Sequence, residues 1–110
     1  MSLKIVSLAS FSKGVKKLYK RYKQIASDLK ELNKTLNKDL KAGVPLGRNC
    51  FKIRVSNSSV PTGKSGGFRV IYYYVDKDES IYLMAMYSKS ELETISDEKI
   101  IDILKINGLK

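Results

Sequence analysis

From Phe11 to Leu40 the apolar residues fall at steps of three and four: Phe11, Val15, Leu18, Tyr22, Ile25, Leu29, Leu32, Leu36 and Leu40. That spacing lays one hydrophobic stripe along a helix. No Gly or Pro interrupts residues 15–42, so the pattern permits one long helix with coiled-coil spacing or two helices meeting at a tight turn. A helix of roughly thirty residues outspans a domain of this size, which favours a hairpin broken near residues 23–27, with Ser27 or Asp28 near the second start. Ahead of it, residues 3–8 read as a short strand, and Ser10 or Ser12 is placed to cap the first helix. Gly43, Pro45 and Gly47 then close the helical region.

Beyond that point the period changes to two. Residues 49–56, 68–76 and 80–88 are strand-like, and the polar run Asp76-Lys77-Asp78-Glu79 turns the last two into an antiparallel hairpin. In the first of these strands alternation sends Phe51, Ile53 and Val55 to one face and Lys52 and Arg54 to the other. Tyr72, Tyr73 and Tyr74 are consecutive and cannot share a face, so at least one belongs to the core instead of a base-stacking platform. Ser96 followed by Asp97 and Glu98 announces a last helix, with Ile100, Ile101, Ile103 and Leu104 on its apolar side and a stop near Asn107-Gly108. The expected fold is α+β in the order β-α-α-β-β-β-α, with residues 1–110 forming one domain.

Composition narrows the chemistry. The 110 residues are 43% hydrophobic, enough for one modest core, and carry a formal net charge of +10. The charge is uneven: residues 1–50 hold 12 basic and 3 acidic side chains, residues 51–110 hold 9 and 8. A diffuse positive field on the helical half suits RNA, DNA, an anionic membrane or an acidic protein, while the strand half has a few placed cations among balanced charge. The Lys-rich face formed by Lys13, Lys16, Lys17, Lys20, Arg21 and Lys23 is, in most helices, simply solvated.

The absence of histidine removes imidazole-based hydrolysis, and with a single cysteine no metal site or cofactor is expected. Cys50, at the head of an apolar strand, reads as a buried and inert thiol in a reducing, cytoplasmic setting. The apolar run at the N-terminus is broken by Lys4 and is too short to span a membrane, so no membrane partner is expected. Gly63-Lys64-Ser65 imitates the end of a phosphate-binding loop, but Ser58 stands where the first glycine is required and a strand follows in place of a helix.

What remains is a set of cations: Lys52 and Arg54 on one strand, Lys64 in the Gly/Ser-rich connection, Arg69 at the start of the next strand, and Lys89 after the last. Each alone reads as an ordinary surface charge. Five converging on one concavity need a reason, because crowding like charges costs stability.

The segments CFKIRV, GKSGGFRVIYYYV and IYLMAMYSKSE, behind an N-terminal strand and a helical hairpin, resemble the RelE/HigB toxins of bacterial type II toxin-antitoxin pairs. The resemblance spans nearly the whole chain, and KSGGFRVIYY and YSKSE are its most specific pieces. It implies a RelE-like fold and a ribosome-dependent endoribonuclease that cuts mRNA in the decoding A site and is silenced by a bound antitoxin. Cleavage through the RNA 2′-hydroxyl needs a base, stabilisation of charge on phosphorus, and help for the departing 5′-oxygen. Lysine neighboured by arginines is favoured in its neutral, proton-accepting form, and arginine clamps phosphate oxygens bidentately. By position the resemblance implies Lys52 as base, Arg69 as main transition-state stabiliser, Arg54 and Lys64 as phosphate contacts, and Lys89 as proton donor or substrate contact. Some members carry a base-stacking tyrosine before the last helix; here that region reads Thr94-Ile95-Ser96, and Tyr87 is the substitute for RNA contact. Two other readings stand beside this one: a ParE-type toxin acting on DNA gyrase, and a non-catalytic nucleic-acid-binding module using the helical positive face.

Overall fold

The computed structural model describes residues 3–61, 67–91 and 95–109. The elements are β1 (Lys4–Ser7), α1 (Ala9–Tyr19), α2 (Ile25–Lys38), β2 (Val44–Gly47), β3 (Cys50–Val55), β4 (Phe68–Val75), β5 (Ser80–Ser88) and α3 (Asp97–Ile106). The strands make one five-stranded sheet in the order β1-β5-β4-β3-β2, with β1 parallel to β5 and every other pairing antiparallel. Strand β4, FRVIYYYV, is central and buried on both faces, which is why its sequence is a nearly unbroken apolar run.

Two cores flank this sheet. Phe51, Ile53, Val55, Phe68, Val70, Tyr72 and Tyr74 pack against Phe11, Leu18, Ile25, Leu32 and Leu36 of the helical hairpin. On the opposite face Cys50, Ile71, Tyr73 and Met84 meet Ile100, Ile103 and Leu104 of α3. The three consecutive tyrosines thus divide between the two cores, and all three are buried. Cys50 is buried as well, its Sγ 3.9 Å from the Met84 sulfur.

The expected order of elements is present, with one strand more. Residues 44–47 form β2, which pairs with β3 through a two-residue loop, Gly47 opposite Cys50. Both loop residues, Arg48 (φ 55°) and Asn49 (φ 62°), are in the left-handed region, the conformation that matches strand twist in tight hairpins. Pro45 and Gly47 conceal the strand in the sequence, and Pro is tolerated because β2 is an edge.

The first helix starts before its serines. Leu8 occupies the N-cap position with no side-chain cap, and its N–H still donates to the Leu83 carbonyl of the β5 ladder. Ser10 instead donates from Oγ to the Met84 carbonyl at 2.5 Å, fastening α1 to the sheet. The hairpin breaks over residues 20–24, slightly ahead of expectation, with no glycine or proline to mark it. Tyr22 provides the reason: its ring packs edge-on against Phe68, centroids 5.4 Å apart, and pulls the chain inward. Asp28 lies in the first turn of α2, buried, and its two carboxylate oxygens accept from the Ser58 N–H at 3.1 and 3.2 Å. It holds the loop after β3 and does not cap a helix. The cap at Ser96 is as expected, its Oγ accepting from the Lys99 N–H at 3.2 Å, and Gly108 (φ 67°) follows the end of α3.

The β4–β5 ladder is irregular at one point. Tyr72 is opposite Leu83 whereas Ile71 is opposite Ala85, so β5 contains one extra residue, a β-bulge. Before it Ile81 and Leu83 face the helical hairpin; after it Met86 does, and Tyr87 turns toward the α3 side.

Candidate active site

Because Phe51, Ile53, Val55, Phe68 and Val70 point to the hairpin, alternation directs Lys52, Arg54 and Arg69 to the α3 face. Pairing then aligns them. Arg54 is directly opposite Arg69 across β3 and β4, and Arg69 is directly opposite Tyr87 across β4 and β5. Facing residues on one side of a sheet have Cβ atoms about 5 Å apart, so Arg54, Arg69 and Tyr87 make a row roughly 10 Å long. Lys52 lies one step along β3 on the same face, roughly 7 Å from Arg54. Lys89 follows the end of β5, its N–H donating to the Gly67 carbonyl at 3.2 Å, so the ladder continues one rung past Phe68 and Ser88. Lys64 lies outside the described residues.

Exposure divides the set. Arg54 and Lys89 are exposed and Lys52 is half-buried. Arg69 is only 6% exposed, with Nη1 donating to the Phe68 carbonyl at 3.2 Å, and Tyr87 is 8% exposed. An anion approaching this face therefore meets Arg54 before the nearly buried Arg69. With so little of its ring uncovered, Tyr87 offers more to the packing beside Arg69 than to a stacked base. Among the described residues the ion pair within 4.0 Å is Lys34–Glu31 on α2, and neither Lys52 nor Arg54 joins one. Their charge is available to an incoming anion.

Three further groups border or brace this face, Asp28 from the hairpin side, and sequence reading did not single them out for it. Val44, opposite Lys52, is 63% exposed, and Leu46 on the same strand is also exposed, giving the cations an aliphatic border. Glu91 accepts from Ser88 Oγ at 2.9 Å, bracing the turn that carries Lys89. Asp28, through Ser58, fixes the start of the connection between β3 and β4. Val44 and Leu46 are concealed by the short, proline-containing strand; the YSKSE segment contained Glu91 without indicating its partner.

Nothing here resembles a metal centre: among the described residues no group of three or more His, Cys, Asp or Glu side chains converges. No helix is long and apolar enough to cross a membrane.

The solved structure of a free-state E. coli toxin RelE variant with two arginine-to-alanine substitutions matches this chain with a TM-score of 0.60, covering 96% of this chain and 97% of that one at 16% identity. The fold is RelE-like. No protein-family model matches the sequence. Within the RelE-like fold, the cation row occupies the sheet face that α3 only partly covers, on the side away from the helical hairpin.

Proposed function

We propose that this chain is the toxin of a type II toxin-antitoxin pair and acts as a ribosome-dependent mRNA endoribonuclease in the A site. The supporting observation is the row Arg54–Arg69–Tyr87 with Lys52 beside it on one open face. In this reading Lys52 removes the 2′-hydroxyl proton as the 2′-oxygen bonds to phosphorus. Arg54 and Arg69 neutralise the phosphoryl oxygens as negative charge accumulates, Arg69 being uncovered as the phosphate seats. Lys64 adds a phosphate contact. Lys89 supplies a proton to the departing 5′-oxygen as the P–O5′ bond breaks, leaving a cyclic phosphate on one fragment and a 5′-hydroxyl on the other. No cofactor enters these steps. The ribosome contributes by fixing the mRNA backbone in an attack geometry that free RNA rarely visits, which accounts for dependence on translation.

Primer extension on a translated message, with and without the protein, tests this. New 5′ ends within the reading frame that require ribosomes, and that are lost with Arg54→Ala, are the expected result. An intact message together with inhibited DNA supercoiling would replace the reading with the gyrase-directed one. Salt-sensitive binding without any scission would reduce it to a binding module.

A further inference from the structure

Strand β3 pairs with β4 along its whole length but with β2 only as far as Lys52, opposite Val44. One hydrogen bond fixes the direction of its peptide groups: the Asn49 carbonyl accepts from the Tyr74 N–H of β4 at 3.0 Å. Successive peptide units of a strand point to opposite sides, so the Arg54 N–H, the Arg54 carbonyl and the Ser56 N–H all face away from β4. The Lys52 carbonyl, outward by the same alternation, lies against Gly43, where an added Cβ would stand 2.8 Å from its oxygen. There the chain leaving α2 closes the edge. At the other end the Val60 N–H turns back to the Asn57 carbonyl at 3.2 Å and the Ser58 N–H goes to Asp28. Between these closures the three outward groups have no hydrogen-bond partner among the described residues. They overlook an opening of about 570 Å³ between α2 and β3, with the buried Leu32 and Ile53 in its wall and the exposed Thr35 at its rim. Glu31, also at the rim, is already paired with Lys34 at 3.4 Å.

An edge window this short does not suit an added peptide strand, which is held by a ladder of about five residues. It suits the edge of a nucleobase, a flat ring that presents two or three donors and acceptors side by side. We infer that this opening receives an unpaired RNA base, whose edge bonds the Arg54 carbonyl and the Ser56 N–H while its ring lies against Leu32 and Ile53. The Arg54 side chain points to the α3 face, so a nucleotide whose phosphate rests on that guanidinium carries its base toward the backbone of the same residue. In cleavage the opening selects which nucleotide is placed beside the scissile bond. That role rests on the proposed nuclease; base binding does not.

Nitrogen-15 NMR of the full chain, titrated separately with AMP, CMP, GMP, UMP and ribose 5-phosphate, reads the outward amides directly. At least one nucleotide is expected to move the Arg54 and Ser56 amide protons downfield with a Kd of about 1 mM, and ribose 5-phosphate to leave Ser56 in place. Ser56→Pro removes the N–H at an exposed edge position where proline is tolerated, and is expected to weaken that nucleotide about fivefold or more; Ser56→Ala, which keeps the N–H, binds as before. Thr35→Trp, which fills the opening from the exposed side of α2, weakens it as well. Circular dichroism verifies that the variants fold. Shifts that ribose 5-phosphate reproduces, binding indifferent to both Ser56→Pro and Thr35→Trp, or no nucleotide shift at Ser56 up to about 20 mM overturns the inference. So does an extended valine-rich peptide that moves these amides when no nucleotide does. Mapping of cut sites on translated messages separates the two readings. The unaltered chain should prefer the same base beside the cut about tenfold, and Ser56→Pro should erase the preference. A chain that cuts mRNA without nucleotide shifts loses only the base pocket, and one that binds the base without cutting loses only the nuclease.

Discussion

Arg54 and Arg69 face each other on neighbouring strands, an arrangement that like-charge repulsion disfavours and that a phosphate lying over both reverses. Arg54→Ala and Arg69→Ala are each expected to lower ribosome-dependent cleavage by about a hundredfold or more, the scale of losing one donor to a transition-state oxyanion. Arg54→Lys restores little, since an ammonium cannot make the paired contacts of a guanidinium. Single-turnover primer extension measures both effects. Cys50 tests the interior instead. Burial pushes its thiol up to about 11, with Arg48 pulling weakly the other way. Roughly one thiol in a thousand is then ionised at pH 8, against about a quarter for an ordinary cysteine, so iodoacetamide should label native protein at least a hundredfold more slowly than urea-unfolded protein. Intact mass spectrometry over time reads this directly. Because the folded thiol ionises above the unfolded one, its stabilising contribution is complete below about pH 8.5 and disappears as pH rises toward 11. Tyr72 is shifted in the same direction by burial, so urea midpoints should fall on the alkaline side.

At the scale of elements, close approach and hydrogen bonds decide which changes the fold tolerates. Gly14 brings α1 so near β5 that an added Cβ would lie 2.8 Å from the Met86 carbonyl oxygen. Gly14→Ala is therefore expected to destabilise by about 1–3 kcal/mol despite alanine's better helix propensity, visible as a lower urea midpoint. The Tyr72 hydroxyl donates to the Leu40 carbonyl and accepts from the Gly43 N–H, tying the end of α2 to the start of β2. Tyr72→Phe should cost about 1–3 kcal/mol by leaving both groups without that partner. These links explain what was legible in the sequence. The long strands and α3 were readable because their periodicity and the Ser96 cap are local signals. The β2 strand, the break at Tyr22 and the role of Asp28 depend on partners far along the chain, such as Ser58 and Phe68, and leave no local mark. The cation row was partly legible: alternation put Lys52 and Arg54 together, but pairing with Arg69 and the near-burial of Arg69 and Tyr87 come from register.

Over the whole molecule, positive charge occupies two unlike settings on opposite sides of the sheet: a compact row beside α3 and a broad field on α1. In the proposed function these separate kinetically. Changing Lys13, Lys17 and Lys20 together to Ser should weaken ribosome association and flatten its salt dependence, while cleavage at saturating protein stays near normal. Arg54→Ala should do the reverse, sparing association and abolishing scission. Ribosome co-sedimentation between about 50 and 200 mM salt, beside single-turnover cleavage, checks both; a tenfold or greater loss of association over that range is expected for the unaltered chain.

The extra residue in β5 acts on this arrangement like a shift of reading frame. If the ladder ran straight with every residue of β5 kept, Arg69 would be paired with Met86, and Tyr87 would be turned into the interior beneath the helices. Every side chain downstream would change sides, the approach to Lys89 included. A chain of the same length without that bulge would keep the same outline and lose the Arg54–Arg69–Tyr87 row.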